Sequence, residues 1–126
     1  MIRIPDQGRF ELRLMDGSAN PYLLQAGVMA AGLEGIDKKL NPGKPLHCNM
    51  YTDYKKYKNL PKLPNDLPQA ISMLQKNKSL SSAFGKDAIN SYIKLKNSEI
   101  KDFRSKNNFN KKKPITTWER NNTLDC

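Results

Sequence analysis

The chain opens with a segment in which apolar and charged residues alternate. Between Arg3 and Asp16 the alternating side chains fall into two sets: Phe10, Leu12 and Leu14 in one, and Arg9, Glu11 and Arg13 in the other. Successive side chains of an extended chain point to opposite faces, so this period of two predicts a β-strand with one apolar and one charged face. No second segment alternates in the same way, and the pattern therefore predicts a strand that has no partner strand within this chain.

The next pattern is typical of a buried helix. Asn20 is a favoured helix cap, and proline at position 21 suits the first helical residue. From Tyr22 to Ile36 the side chains are apolar or small around nearly the whole circumference, which predicts a helix that packs on more than one side. The segment Asn41-Pro42-Gly43-Lys44-Pro45 ends the element.

The rest of the chain is predicted to be mostly helical. Residues 46–64 show no period and are predicted to be a loop. A short amphipathic helix is expected from Leu67, behind the caps Asn65 and Asp66, and a second one from Ser79 to Phe84. Gly85 is expected to separate the latter from a long helix with one apolar stripe, formed by Ile89, Tyr92, Ile93, Ile100 and Phe103.

The C-terminal residues 107–126 are predicted to be a polar tail on a body formed by residues 1–106. Ile115, Trp118 and Leu124 are expected to dock on that body, chiefly through Trp118, while the run Lys111-Lys112-Lys113 stays mobile.

The predicted elements include no second strand to pair with the first one and too little apolar surface to cover the helix from Tyr22 to Ile36. An isolated strand leaves its backbone donors and acceptors unpaired, and the remaining helices offer one apolar stripe each. We therefore expect an α+β fold with an incomplete sheet, the C-terminal part of a larger domain. Met1 would then be an internal residue or a mis-assigned start, and the chain alone is expected to be poorly ordered.

Composition changes this picture little. The 126 residues carry a formal net charge of +10, which raises the question of a nucleic-acid partner. The lysines are scattered, however, and the sequence shows no groove-reading helix and no aromatic stacking platform. We expect no nucleic-acid partner.

The remaining composition indicates an intracellular setting. No apolar run reaches the roughly 18 to 20 residues that span a bilayer, and Arg3, Asp6 and Arg9 do not fit a secretory signal. A cytoplasmic protein without a membrane partner is expected. Cys48 and Cys126 lack the spacing of a zinc site or a disulfide framework, and both are expected to be reduced thiols.

The charged face of the strand is the chief candidate for chemistry. Glu11 lies between Arg9 and Arg13, so two guanidinium forks flank one hard oxygen ligand. That set suits a phosphate, a carboxylate and a divalent cation. The alternative is an edge strand with a solvated Arg-Glu-Arg ladder, since surface ion pairs contribute only about 0 to 1 kcal/mol each.

Several runs of residues together resemble the C-terminal catalytic region of glutamine synthetases. The runs are Arg3-Ile4-Pro5, Arg9-Phe10-Glu11-Leu12-Arg13, Asp16-Gly17-Ser18-Ala19-Asn20-Pro21-Tyr22-Leu23 and Ala30-Ala31-Gly32-Leu33-Glu34-Gly35-Ile36. Shorter matches extend the likeness over most of the chain: Leu63-Pro64, Gly85-Lys86-Asp87, Tyr92-Ile93 and Trp118-Glu119-Arg120. The ending is similar to the branch of the family that includes γ-glutamylmethylamide synthetases.

The resemblance implies an ATP-dependent carboxylate-amine ligase that forms glutamine from glutamate and ammonia through γ-glutamyl phosphate, or a γ-glutamyl amide from a small amine. Glu11 matches a glutamate that ligates Mg²⁺ or Mn²⁺. Arg3 and Arg9 match catalytic arginines that contact the phosphates of ATP, and Arg13 matches the arginine that pairs with the substrate glutamate. The family implies a homo-oligomer of stacked rings.

The resemblance also implies that much of the active site lies outside this chain. The family's other metal ligands, its histidine, its flap and its nucleotide pocket precede the position of Arg3, so the isolated chain is expected to be inactive. His47 lies in a loop and does not replace the missing histidine. A second hypothesis is a truncated, non-catalytic paralogue that binds full-length subunits.

Overall fold

The computed structural model describes residues 2–106 and 115–123, which form a small antiparallel sheet followed by helices. The strands are β1 (Ile2–Asp6) and β2 (Arg9–Leu12). The helices are α1 (Pro21–Asp37), α2 (Met50–Asp53), a 3-10 turn (Tyr54–Lys56), α3 (Leu67–Lys76), α4 (Lys78–Phe84), α5 (Lys86–Lys106) and α6 (Thr117–Thr123). This is the mostly helical α+β arrangement that the sequence predicts.

The first two strands pair with each other, so the prediction of a strand without a partner is wrong. They form a hairpin in which Arg3 lies opposite Glu11, with an irregularity in the register between Arg3 and Asp6. Gly8 in the turn has a φ of 77°, a conformation that glycine adopts without a Cβ clash. Pro5 cannot donate a ladder hydrogen bond and is tolerated here because β1 is an edge strand.

A small apolar core lies among α3, α4 and α5. Its buried members are Ile71, Ile89 and Ile93, and Leu74, Phe84 and Ile100 pack against them. Two predicted caps are confirmed: the backbone N–H of Gln69 donates to the side chain of Asp66 over 2.8 Å, and Gly85 has a φ of 85° between α4 and α5. Asn65 is not the cap of α3, and its backbone N–H donates to the side chain of Gln69 instead. The apolar stripe predicted for the long helix therefore faces the core through its two buried isoleucines.

Helix α1 begins as predicted but is not buried. The Asn20 side chain accepts hydrogen bonds from the backbone N–H groups of Tyr22 and Leu23, over 3.1 and 3.0 Å. None of the residues of α1 is buried, so the expected burial is wrong for the chain as it stands. Its contact with α4 includes a hydrogen bond from the Ser79 hydroxyl to the Glu34 carboxylate.

The segment 46–64 contains a short helix where the sequence predicts a loop. The N–H of Tyr51 donates to the side chain of Asn49 over 3.0 Å, and this cap starts α2, which continues into the 3-10 turn. A helix of one turn is too short to show a period, so the pattern could not predict it.

The described part of the C-terminal segment contacts α5. The indole Nε1 of Trp118 donates to a carboxylate oxygen of Asp102 over 2.6 Å, and its ring meets that of Phe103 edge to face at 5.4 Å between centroids. Ile115 is exposed, contrary to its expected docking. Leu124, Cys126 and the lysine run lie outside the described residues, and the division of the chain after residue 106 stays a prediction.

Candidate functional site

The hairpin brings the four candidate residues to one face. Because Arg3 and Glu11 are directly paired across the strands, their side chains point to the same side of the sheet. Arg9 and Arg13 lie two residues on either side of Glu11, and both reach the same carboxylate. Pattern analysis alone groups Glu11 with Arg9 and Arg13. Arg3 joins them only because β1 pairs with β2, and the sequence analysis did not predict that pairing.

The Glu11 carboxylate is the centre of this cluster. Arg13 donates to its Oε2 from Nη2 over 2.7 Å and from Nε over 3.1 Å. Arg3 Nη1 lies 3.3 Å from both carboxylate oxygens. Arg9 Nη2 is farther from Oε1, at 3.5 Å, and also lies 3.8 Å from the Asp6 carboxylate. Three guanidinium groups therefore converge on one carboxylate from two strands.

These contacts set the charge of Glu11. The hydrogen bond from Arg13, and then the hydrogen bond from Arg3, lower the pKa of Glu11 below its ordinary value, although partial desolvation opposes them. The Glu11 side chain is 30% exposed, whereas those of the three arginines are 56% to 62% exposed. The carboxylate is thus ionised at neutral pH and lies beneath a more exposed layer of cations.

This geometry leaves the arginines able to bind a further anion. A guanidinium has five N–H donors; Arg13 donates to Glu11 from two nitrogens and Arg3 from one, whereas Arg9 lies at ion-pair distance. The hydrogen bonds to Glu11 orient the guanidinium groups of Arg3 and Arg13, and their remaining donors are exposed. Such a surface suits phosphate or carboxylate oxygens, which guanidinium forks bind with two parallel hydrogen bonds.

The described residues do not by themselves form a metal site. Across residues 2–106 and 115–123 no group of three or more His, Cys, Asp or Glu side chains could hold an ion. Glu11 is a hard oxygen donor of the kind that Mg²⁺ prefers, but it is one carboxylate among three cations. A divalent cation at Glu11 would need most of its ligands from outside the described residues.

The structure also contains a cleft that shares no lining residue with the charged cluster of Arg3, Arg9, Glu11 and Arg13. This open cleft of about 930 Å³ is bordered by Asp16, which precedes α1, and by residues of α1, α3, α5 and α6, including Tyr92, Phe103 and Trp118. None of the four candidate residues lines it.

Within the described part of the chain, no helix is both long enough and apolar enough to cross a membrane.

Comparison with known proteins identifies the family. Residues 1–115 match the family described as "Glutamine synthetase, catalytic domain". The chain belongs to this family. The match covers both strands and helices α1 to α5 of this family member, including Arg3, Arg9, Glu11 and Arg13.

Individual relatives extend the match to nearly the whole chain. A glutamine synthetase of Rhizobium meliloti is 42% identical over 99% of the chain, and a glutamate–methylamine ligase of Methyloversatilis universalis is 34% identical over 99%. The solved structure described as "GmaS/ADP complex-Conformation 1" superposes with a TM-score of 0.77 and 40% identity over 100% of the chain. In each case the chain spans 27% of the relative's length.

Proposed function

We propose that this member of the glutamine synthetase family contributes the charged hairpin face, formed by Arg3, Arg9, Glu11 and Arg13, to the active site of an ATP-dependent carboxylate-amine ligase. The observation that supports this most strongly is the convergence of three guanidinium groups on one carboxylate. The reaction would phosphorylate the γ-carboxylate of glutamate, after which ammonia or a small amine displaces the phosphate to form an amide.

Each arginine has a distinct proposed task. Arg3 and Arg9 would bind phosphate oxygens of ATP and offset the negative charge on the transferring phosphoryl group. Arg13 would pair with a carboxylate of the substrate glutamate. Glu11 holds these groups in place, because it is the common partner of all three. The substrate therefore meets donors whose directions are set before it binds.

The cofactors of the proposed ligase are ATP and Mg²⁺ or Mn²⁺. Glu11 would supply one oxygen to the cation, which would balance phosphate charge when bound. The other ligands would come from the part of the protein that this chain does not span. The isolated chain is accordingly proposed to be inactive, and the complete ligase to be a cytoplasmic homo-oligomer of stacked rings.

A ligase that uses methylamine is the second candidate. It is supported by the 34% identity to a glutamate–methylamine ligase and by the TM-score of 0.77 to the structure described with GmaS. The residues of the hairpin face recognise phosphate and glutamate carboxylate, which both reactions share, so they favour neither amine.

A chimera tests the proposed activity and separates the two amines. The stretch of the Rhizobium meliloti glutamine synthetase that matches this chain would be replaced by the chain. Phosphate release that requires glutamate, ATP and an amine is the expected result, with ammonia and methylamine assayed in parallel. A folded, assembled chimera that releases no phosphate with either amine would contradict the proposal.

A further inference from the structure

One face of helix α5 carries a row of cationic and amide side chains. The row consists of Asn90, Lys94, Asn97, Lys101 and Arg104, which are all exposed and which follow one another at spacings of four, three, four and three residues. Residues at these spacings are neighbours on the surface of an α-helix. Lysines that look scattered in the sequence are therefore aligned in the structure, and we call these five residues the basic stripe.

The three cations of the basic stripe have no carboxylate partner among the residues that the structure describes. Glu99 and Asp102 lie outside the stripe, where they pair with Lys96 and Lys106, each over 2.8 Å. Asp87, in the first turn of α5, borders the start of the stripe. Helices α3 and α4, which contact α5, contain no Asp or Glu. The stripe is thus a positively charged surface with an acidic residue at one end.

An open groove of about 480 Å³ lies on the basic stripe. It is lined by Asn90, Lys94, Asn97 and Lys101, together with Ile93 and Ser98. The two lysines are seven residues apart, which is about 10 Å along the helix axis. The asparagine amides beside them can both donate and accept hydrogen bonds. This groove suits a row of carboxylates that repeats every two helical turns.

We propose that the basic stripe binds an acidic helix of another protein. Spacings that alternate between four and three residues average 3.5, the repeat at which two helices stay in contact along a seam. A partner helix with Glu or Asp at the same repeat places carboxylates opposite Lys94, Lys101 and Arg104. The stripe shares no residue with the charged hairpin face, so this binding does not depend on the proposed function.

The composition of the stripe favours an acidic helix over other occupants. The stripe has no aromatic side chain on which bases could stack, and the isoleucines that α5 could offer to a bilayer are buried in the core. A second copy of the stripe would place like charges opposite each other. Packing against the interior of the same domain would bury cations, which costs free energy unless each one is paired.

A designed peptide tests the proposal. The probe is a labelled, alanine-rich helical peptide whose glutamates alternate at spacings of four and three residues, and the control peptide has the same composition with its glutamates spread over all faces. Fluorescence anisotropy with the full chain should show at least about tenfold tighter binding of the probe, because only the probe presents its carboxylates as one row.

Two double variants of the full chain locate the binding surface. Lys94→Gln combined with Lys101→Gln should weaken binding of the probe at least about tenfold, because two charge-assisted contacts are lost. Lys58→Gln combined with Lys62→Gln is the matched control, since it changes the net charge equally at exposed positions outside the helices, and it should leave binding nearly unchanged. Glutamine is a good helix former, so α5 should persist and the far-ultraviolet circular dichroism should match that of the parent chain.

Four outcomes would overturn the proposal. The first is no binding of the probe at about 0.1 M salt. Equal binding of the two peptides, or equal weakening by the two double variants, would show that net charge alone causes the attraction. Tighter binding of a duplex RNA than of the probe, lost in the Lys94 and Lys101 variant, would assign the stripe to nucleic acid instead.

Discussion

At the scale of single residues, Glu11 organises the candidate site. Arg3 and Arg13 donate to it with hydrogen-bond geometry, whereas Arg9 lies at 3.5 Å and is shared with Asp6. The three arginines are therefore not equivalent in how firmly they are held. Alternation in the sequence could predict the grouping of Glu11 with its neighbours, but not this ranking, because the ranking depends on side-chain geometry.

The pKa of Glu11 should report that ranking. Arg13→Gln removes the strongest influence that lowers it, so the Glu11 pKa should rise toward its ordinary value of 4.5. Arg9→Gln is the matched control and should raise it less. Carboxyl-carbon NMR titration of Glu11 in the two variants and the parent chain measures the difference. A larger rise in the Arg9 variant would contradict the geometry described.

The same pKa gives a pH dependence of the hairpin. Because the folded-state pKa of Glu11 lies below 4.5, its ion pairs stabilise the hairpin fully above that pH. The contribution is lost as the pH falls through the lowered pKa. Amide chemical shifts of Arg3 and Arg13, followed from pH 6 to pH 2 at about 0.1 M salt, should change together with the Glu11 titration. Shifts that stay constant through that titration would show that the cluster does not form.

At the scale of elements, side-chain caps predicted the helices better than periods predicted the strands. Asn20 and Asp66 mark the starts of α1 and α3, and both caps form in the structure. Strand β1 escaped detection because it is short and contains Pro5, which is unfavourable inside a sheet. The exposure of α1 could not be predicted from its apolar pattern. Such a pattern shows that a helix is suited to burial, but it does not show whether the packing partners lie within these residues.

The glycine between α4 and α5 should be sensitive to substitution. Gly85 has a φ of 85° and a ψ of 139°, a backbone conformation that residues with a Cβ rarely adopt, so Gly85→Ala should lower the free energy of unfolding by about 1 to 3 kcal/mol. Gly17→Ala is the control, since Gly17 has an ordinary φ and open space around it, and should change stability by less than about 0.5 kcal/mol. Urea unfolding followed by circular dichroism measures both. Equal stability of the two variants would argue against the described junction.

The core between α3 and α5 should dominate stability. Ile93 is 8% exposed and lies in the buried cluster of the described residues, so Ile93→Ala should lower the free energy of unfolding by about 2 to 5 kcal/mol. Leu95→Ala, two residues along the same helix and 56% exposed, should have little effect. The same urea experiment compares them, and a comparable loss in both variants would place the core elsewhere.

At the scale of the whole molecule, the described residues form a small helical core among α3, α4 and α5, to which α1 and the charged hairpin contribute no buried residue. Fold class and family could be predicted from the sequence because runs such as Arg9-Phe10-Glu11-Leu12-Arg13 are specific. The other parts of the proposed active site could not be predicted, because the chain spans 27% of the length of its relatives.

The most direct test of this account is the kinetics of the Arg13→Gln variant in the Rhizobium meliloti chimera. Loss of a charge-assisted contact to the substrate should reduce kcat/KM for glutamate at least about tenfold. Leu95→Ala in the same chimera should leave the value unchanged. We expect that loss in an assembled, folded enzyme, whereas an Arg13→Gln chimera with the kcat/KM of its parent would show that the charged hairpin face takes no part in the reaction.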